Sequence, residues 1–504
     1  MMSVLMDIRA GVNEVCKRIT NITSSDMSGK TDAPVAKSSS VKSMVAAVDE
    51  DEDNPEVIAM GDVRTAFLQA YRFGADEKTK YVVLRLGKNV PWKVYKLLGP
   101  LYGQRDAPLR WYETFKDFML EEGFTAGKND VCIFYNAKTK MKVALHVDDV
   151  LTRGGRSETE AFFERMRSRF NMKVVEYIEP GTSRVFLAIE IGVEEADGAT
   201  YVTMTQEQDV RAFAEAQGIS MVRMGRSPMP DKHRIFKDKT LLTAKEHKEY
   251  RSIVGSLMWF ATGTRFDVAH SVARLGQWLE SPTKGAMDEA RRVAAYVVMT
   301  AGHVIRAVIR GGPTSGKNVW ERFTDSDHGG DKGVDLRSHT GVILMLNGMP
   351  VSWRSNKQPK TSVSSAMAEI YALSEGVRDA LSVAYRFEEM GNWVDWPLEI
   401  MVDNMAGISF QGKTNPDSKL GGAFDFRRDW VVELQDEKKV KAVKVHTVYN
   451  VADLLTKCHR PVDFERLKGI VDGRAKELVV GNYRYDFMEK GVQIESYANF
   501  RGVQ

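Results

Sequence analysis

Two groups of carboxylates carry the chemistry of this sequence. Asp62, with the adjacent pair Asp148 and Asp149, makes the first; Asp325, Glu369, Asp403 and Asp453 make the second. Hard divalent cations take oxygen ligands, and in-line phosphoryl displacement needs charge neutralised on both the entering and the leaving oxygen. Three or four acids at strand ends and helix starts therefore suit a pair of Mg2+ ions. Two such groups in one chain point to two separate phosphoryl-transfer chemistries.

The elements that must hold these acids are legible from periodicity. Met141, Val143, Leu145 and Val147 alternate with Lys142, Ala144 and His146, which predicts a half-buried strand running into Asp148 and Asp149. Neighbouring side chains on a strand point to opposite faces, so one acid of the pair is expected in register with Asp62, and we take Asp148 as that one. Taken alone, an Asp pair reads equally as turn chemistry. In the second group, residues 322–326 predict a strand that delivers Asp325 where the sheet meets solvent. Residues 341–346 and 350–354 flank Asn347-Gly348, a hairpin signal. Glu369 stands near the start of a long helix with Ile370, Leu373, Val377, Leu381 and Ala384 on one stripe, behind Ser364 or Ser365 as cap. Asp403 ends the strand LEIMVD, and Asp453 lies just inside a helix that Asn450 caps. Singly these acids read as turn formers, surface residues or caps. Together they bring like charges to one place at a cost that bound cations relieve.

With 504 residues, 43% of them hydrophobic and 28% charged, the chain has material for two to four domains of roughly 100 to 200 residues each. No apolar run approaches the roughly 20 residues of a membrane span. The first twenty residues are interrupted by Asp7, Arg9 and Glu14, unlike the apolar core of a secretory signal. Three cysteines without paired spacing argue against a disulfide framework and for a reducing compartment. A net charge of +3 announces no polyanion partner, so any nucleic-acid contact must use local patches. Residues 1–56 are polar and end in an acidic run, which predicts a disordered leader. An α+β module is expected over 57–155, a mainly helical region over 156–312, an α/β module over 313–467 and a tail over 468–504.

The order of the motifs carries more than any one of them. GDVRTAFLQA at Asp62, KVYKL at Lys93, LYGQRDAPLRWY from Leu101, EEGFTAGKNDVCIF from Glu121 and HVDD at His146 resemble, in sequence, the reverse transcriptase of copia-type (Pseudoviridae) retrotransposon Pol polyproteins. TDSDHGGD, RSHTGVILMLNGMPVSWRSNKQ, SSAMAEIYAL, VDNMAGI and VADLLTK resemble the RNase H motifs that follow it in that family. The resemblance covers about residues 57 to 470. It implies an α+β fold with a right-hand polymerase palm over 57–155 and a helical thumb and connection over 156–312. An RNase H-like α/β domain with a mixed five-stranded sheet then follows over 313–467.

By the same resemblance Asp62 and Asp148 bind two Mg2+ ions with Asp149 beside them, and a primer 3′ hydroxyl attacks an incoming dNTP. Phe67 is the aromatic that excludes a ribose 2′ hydroxyl, although from its own pattern it reads as a core aromatic. Asp325, Glu369, Asp403 and Asp453 bind two Mg2+ ions for cleavage of RNA in an RNA–DNA hybrid, and Arg427 and Arg428 contact phosphates. The implied partners are an RNA template, a DNA primer, RNA–DNA hybrid, dNTPs and other Gag and Pol products; the implied setting is a cytoplasmic virus-like particle and the nucleus, with no membrane. Three departures stand out. His146 replaces the family's Tyr, Asp106 replaces a Gln and places negative charge where a triphosphate approaches, and residues 1–60 show no upstream finger segment. They lead us to expect an impaired polymerase half, and keep open a second reading: an inert or co-opted protein that binds RNA–DNA duplexes.

Overall fold

The computed structural model describes residues 32–48, 55–74, 77, 80–84, 91–219, 226–311, 316–329, 336–362, 364–404 and 422–473, with short strand segments at 477–480, 483–486 and 495–496. The chain divides into two compact units, Met1–Lys37 with Glu56–Tyr177, and Ser38–Pro55 with Ile178–Gln504. The division falls at Tyr177, and it leaves 178–312 together with the sheet that follows. Helices and sheets are mixed in both units. Among the described residues no helix is long and apolar enough to cross a membrane.

The leader expectation needs correction. Ser38–Ala46 forms a helix, α1, with Met44 and Val45 fully buried, and it packs within the second unit. Its polar groups explain why composition misled. The Asn347 side chain donates to the Ala46 carbonyl at 2.7 Å, Arg386 donates to the Ser39 hydroxyl at 3.0 Å, and the Lys42 ammonium stands 3.8 Å from the Trp353 ring centre. Burial pushes Lys42 down to about 7. Ser39 and Lys42 look like linker material in sequence, yet both here have a use that only the folded surroundings supply.

In the first unit, β1 (Glu56–Asp62) lies inside an antiparallel sheet beside β7 (Asp149–Gly155), with β6 (Met141–His146), β5 (Ile133–Asn136) and β4 (Thr125–Ala126) continuing outward. A separate hairpin pairs β2 (Tyr81–Leu84) with β3 (Lys93–Lys96). Helix α2 (Ala107–Glu121) begins with Pro108 in its first turn, where the missing N–H costs nothing. It buries Trp111, Phe115 and Phe118 against Phe134 of β5, Phe162 of α3 (Arg156–Arg169), and Phe170 just beyond α3. Each such ring is worth about 1.5–3 kcal/mol of burial. The expected half-buried strand, β6, is in fact covered on both faces. Lys142 escapes the usual cost because its ammonium pairs with Glu56 at 2.9 Å, and Glu56 also takes Arg153 at 2.6 Å. Burial works against the Glu56 charge, but these two cations outweigh it and hold the carboxyl below its ordinary value.

The second unit holds an antiparallel sheet of β9 (Ser183–Phe186), β10 (Ile189–Ala196), β11 (Ala199–Thr205) and β12 (Ile305–Gly311). The helices α4 (Glu207–Gln217), α5 (Ala244–Gly263), α6 (Ala269–Gly276) and α7 (Lys284–Met299) lie between β11 and β12 in the chain. A mixed five-stranded sheet follows, in the order β15 (Met349–Lys357), β14 (His339–Leu346), β13 (Trp320–Asp327), β16 (Leu398–Val402), β17 (Val440–Lys444). Asn347 (φ 53°) and Gly348 (φ 87°) make the tight turn between β14 and β15, as their types predict. Strands β13, β16 and β17 are parallel, so all three end at one edge of the sheet. The long helix α8 (Ser365–Glu389) covers one face, capped by the Ser364 hydroxyl, which accepts from Met367 N–H at 3.2 Å. Gly376 is what lets it approach: a Cβ there would stand 2.1 Å from Thr324 Cγ2 of β13. Helices α9 (Gly422–Asp436) and α10 (Pro461–Val471) also belong to this unit.

Candidate active sites

The first acid group is built by three strands. In the β1–β7 ladder Asp62 faces Asp149, and in the β6–β7 ladder His146 faces the same residue. Residues directly opposite one another share a face, so Asp149, rather than the Asp148 we expected, is in register with Asp62. Asp148 occupies the hairpin turn with Val147. Val147 takes φ 55°, a costly conformation for a β-branched residue. Two contacts hold that turn: the Trp111 indole donates to the Val147 carbonyl, and the Val63 amide donates to the Asp148 carbonyl at 2.8 Å.

Burial, then the charges of Asp148 and Asp62, push Asp149 up to about 6, with Lys173 opposing. Lys173 itself lies 2.5 Å from an Asp62 oxygen. Burial pushes His146 down against the pull of Asp148, and its buried Nδ1 has no hydrogen-bond partner among the described residues. Phe67 lies in a short 3-10 turn, Ala66–Gln69, with its ring 4.8 Å from that of Tyr102. It is half-buried and lines a cavity of about 360 Å3 with Trp111, Tyr112, Leu145 and Val147. Asp106 does not present a bare charge. Lys80 binds it at 2.8 Å and Arg110 at 3.0 Å, and these bonds hold its carboxyl down although burial works the other way.

The second group is tighter. Asp325 near the end of β13, Glu369 in α8 and Asp403 just past β16 each offer an oxygen, all within 4.8 Å of one another. Parallel β13 and β16 deliver their acids to one edge, and α8 brings Glu369 over it. Asp325 was expected at the solvent boundary; it is 1% exposed, and the Thr456 hydroxyl donates to it. Burial and then the charges of Asp325 and Asp403 push Glu369 up to about 8. Burial and Asp325 push Asp403 upward as well, with a Thr447 hydrogen bond opposing. Carboxylates that repel each other in a poorly solvated place are the donor set a hard divalent cation fits.

Asp453 arrives in a 3-10 turn, Val451–Leu455, capped by Asn450, whose side chain also donates to the Thr324 carbonyl at 2.9 Å. It is not a member of the group of three. Its carboxylate lies 2.7 Å from the Lys457 ammonium, which also reaches Asp325 at 3.3 Å. Burial and Asp325 push Asp453 upward. Arg427 is anchored rather than free, at 2.8 Å from both the Ser374 hydroxyl and Glu375 and 4.1 Å above the Tyr371 ring. Arg428 pairs with its neighbour Asp429 at 2.8 Å. Sequence reasoning missed Lys173, Lys457 and Trp111 as parts of these sites. Lys457 had a signal, since it follows Asp453 by one helical turn; Lys173, 111 residues from Asp62, had none.

The reverse transcriptase (RNA-dependent DNA polymerase) family matches residues 5–213. The match takes in most of the segment read from composition as a leader without counterpart. The Pol polyprotein of tobacco (Nicotiana tabacum) transposon TNT 1-94 is 26% identical over 87% of this chain and 32% of its own length. That of Arabidopsis thaliana transposon RE1 is 28% identical over 85% of this chain and 28% of its own. A putative transposon Ty5-1 protein of Saccharomyces cerevisiae is 26% identical over 57% of this chain and 90% of its own length. The chain thus spans about a third or less of the two plant polyproteins.

Proposed function

Because this chain carries a reverse transcriptase domain and is related to the copia-type retrotransposon Pol polyproteins, we propose that it is an RNA-directed DNA polymerase joined to an RNase H-type hydrolase, acting on RNA template, DNA primer and RNA–DNA hybrid. The first unit is the palm, 178–312 supplies thumb and connection, and the five-stranded sheet carries the hydrolase. The observation that supports the hydrolase most directly is the convergence of Asp325, Glu369 and Asp403 within 4.8 Å. When bound, Mg2+ ions supply the positive charge that attacking and leaving oxygens need in phosphoryl displacement. Asp325, Glu369 and Asp403 are the residues that would hold them, and Asp453 is the fourth acid beside them.

In the palm, Asp62, Asp149 and Asp148 at the hairpin edge are the residues that would hold the corresponding ions. The primer 3′ hydroxyl gives up its proton to solvent, its oxygen bonds to the dNTP α-phosphorus, and the bond from that phosphorus to the α–β bridging oxygen breaks, releasing pyrophosphate. Phe67 walls the adjoining cavity where it would meet a 2′ hydroxyl. The neutralised Asp106 removes the charge conflict that its sequence position raised. One observation favours the second reading, a co-opted duplex-binding protein, for this unit: Lys173 already occupies Asp62. The setting in a cytoplasmic particle and the nucleus, with Gag and other Pol products as companions, belongs to the same proposal.

Two assays decide. With Mg2+, the protein should cleave the RNA of a labelled hybrid, and Asp403→Asn should lose at least a hundredfold in rate. It should extend a DNA primer on an RNA template, with loss in Asp62→Asn. Cleavage without extension would leave the hydrolase and turn the first unit over to the second reading.

A further inference from the structure

The turn Val451–Leu455 brings more to the second site than Asp453. Thr456, the next residue, donates to Asp325, and Lys457 bridges Asp453 and Asp325. A 3-10 turn this short has few bonds of its own, so its place is set by what grips it. Asn450 ties its start to the Thr324 carbonyl of β13 at 2.9 Å. Gly341 of β14 lets it lie against the sheet: a Cβ there would stand 2.7 Å from the Ala452 carbonyl oxygen and 2.8 Å from Thr456 Cγ2. At its end, the buried Ser355 hydroxyl of β15 donates to the Leu455 carbonyl at 2.6 Å.

Ser355 is itself met by a residue from outside the five-stranded sheet. His270, buried on α6, stands with Nδ1 3.4 Å from the Ser355 oxygen, and the Leu455 carbonyl bonds the same ring. The Ser355 hydroxyl has one proton, already given to Leu455, so Nδ1 must be the donor in this pair. Burial, then His339, Arg274 and His459, hold the ring far below its ordinary value and keep it neutral. The His339 ring of β14 meets it edge to face, with centres 5.0 Å apart. A second grip also starts in 178–312: the Ser227 hydroxyl donates to the His459 carbonyl at 2.8 Å, and His459 Nε2 lies 2.9 Å from the Asp453 carbonyl. A phenyl ring at position 270 would fill the same space and donate nothing.

We propose that His270 is a positioning residue for the hydrolase: through the Ser355 hydroxyl and the Leu455 carbonyl it fixes the turn that presents Asp453, Thr456 and Lys457 to the other acids. A carbonyl stripped of its donors in a buried place moves toward a new partner or water. Asp453, two residues before Leu455, would move with it. A shift of about 1 Å in an aligned site costs up to roughly a hundredfold in rate. Residues 178–312 thereby take part in the hydrolase site as well as serving the polymerase. The proposal rests on the hydrolase reading for what the acids do; the contacts that hold the turn do not depend on it.

Two measurements on the full chain test this: cleavage kinetics on a labelled RNA–DNA hybrid with Mg2+, and backbone hydrogen–deuterium exchange over residues 450–458. His270→Phe should lower kcat about tenfold or more with KM changed less than about twofold, and should quicken exchange over 450–458 but not in α8. His270→Asn, whose amide N–H stands where Nδ1 does, should recover most of the kcat although it packs worse; a packing role alone would reverse that order. Ser355→Ala, which removes one oxygen, should repeat the His270→Phe result and carries the test if that variant does not fold. Unchanged kcat in His270→Phe and Ser355→Ala, or a lower kcat in His270→Asn than in His270→Phe, would overturn the positioning role and leave the hydrolase. No cleavage by the wild type would remove the hydrolase reading alone; quickened exchange over 450–458 in the variants would then still support the hold on the turn, and unaltered exchange would overturn it.

Discussion

The Lys457 ammonium lies 2.7 Å from Asp453 and 3.3 Å from Asp325, so it bridges the fourth acid to the group of three. One lysine thus serves where a second cation would be placed by the count of acids alone. Replacing it with Met should raise the affinity of the metal-free protein for Mn2+ several-fold, by titration calorimetry, because Asp325 and Asp453 are released. Without metal the same change should cost about 1–3 kcal/mol, near the lower end since the lysine is partly exposed. Unchanged affinity would show that Lys457 does not compete with the ion.

The raised carboxyls make metal and pH interdependent. Glu369 stands at about 8 against an ordinary value of 4.5, so the folded state keeps a proton that the unfolded state gives up. Its contribution to stability is therefore lost as pH rises from about 4.5 to 8. In EDTA the urea midpoint should decline across that window. Mg2+, which needs the deprotonated acid, should restore it most at the upper end.

A second pH effect has the opposite sign. His303 is buried and its Nδ1 accepts from Lys468 at 2.9 Å. Burial, then Lys468 and Arg265, push it down to about 4 against the pull of Asp267. Below its ordinary 6.5 the unfolded chain gains a proton that the folded one refuses, so stability falls as pH drops from 6.5 to 4. His303→Gln should lose up to about 3 kcal/mol less than wild type over that range, measured by urea unfolding.

Gly376→Ala tests the seat of α8 on the sheet. Helix propensity favours alanine by about 1 kcal/mol, but the added carbon would overlap Thr324 Cγ2, whose backbone lies in the central strand β13. Overpacking of this kind costs about 1–3 kcal/mol. We expect a net loss, seen as a lower urea midpoint at unchanged slope, and relief of it in the Thr324→Ser background.

Met44→Ala tests whether α1 is part of the second unit. Deletion of a fully buried methionine costs about 2–5 kcal/mol, whereas a leader outside the fold would tolerate it within a few tenths. Thermal unfolding of the full chain distinguishes the two.

Local signals were legible where a short stretch contains its own explanation. Asn347-Gly348 can take the positive φ that its hairpin requires, Ser364 is placed to cap α8, and the apolar stripe from Ile370 to Ala384 recurs at helical spacing. The acids of the second group could be named because they terminate such elements. α1 was missed because Ser39 and Lys42 are polar by composition and become core neighbours only through Arg386 and Trp353.

Periodicity and turn residues act over a few positions, which is why the acids that could bear metal chemistry, and most of the elements that carry them, can be named from the chain alone. That Asp149 faces Asp62, that Lys173 and Lys457 neutralise particular acids, and that Glu369 is driven far above its ordinary value emerge when the chain folds. Register depends on how whole strands pair, and charge in a folded protein depends on burial and on neighbours brought from far along the chain. Neither quantity is a property of adjacent residues, so neither can be read from them.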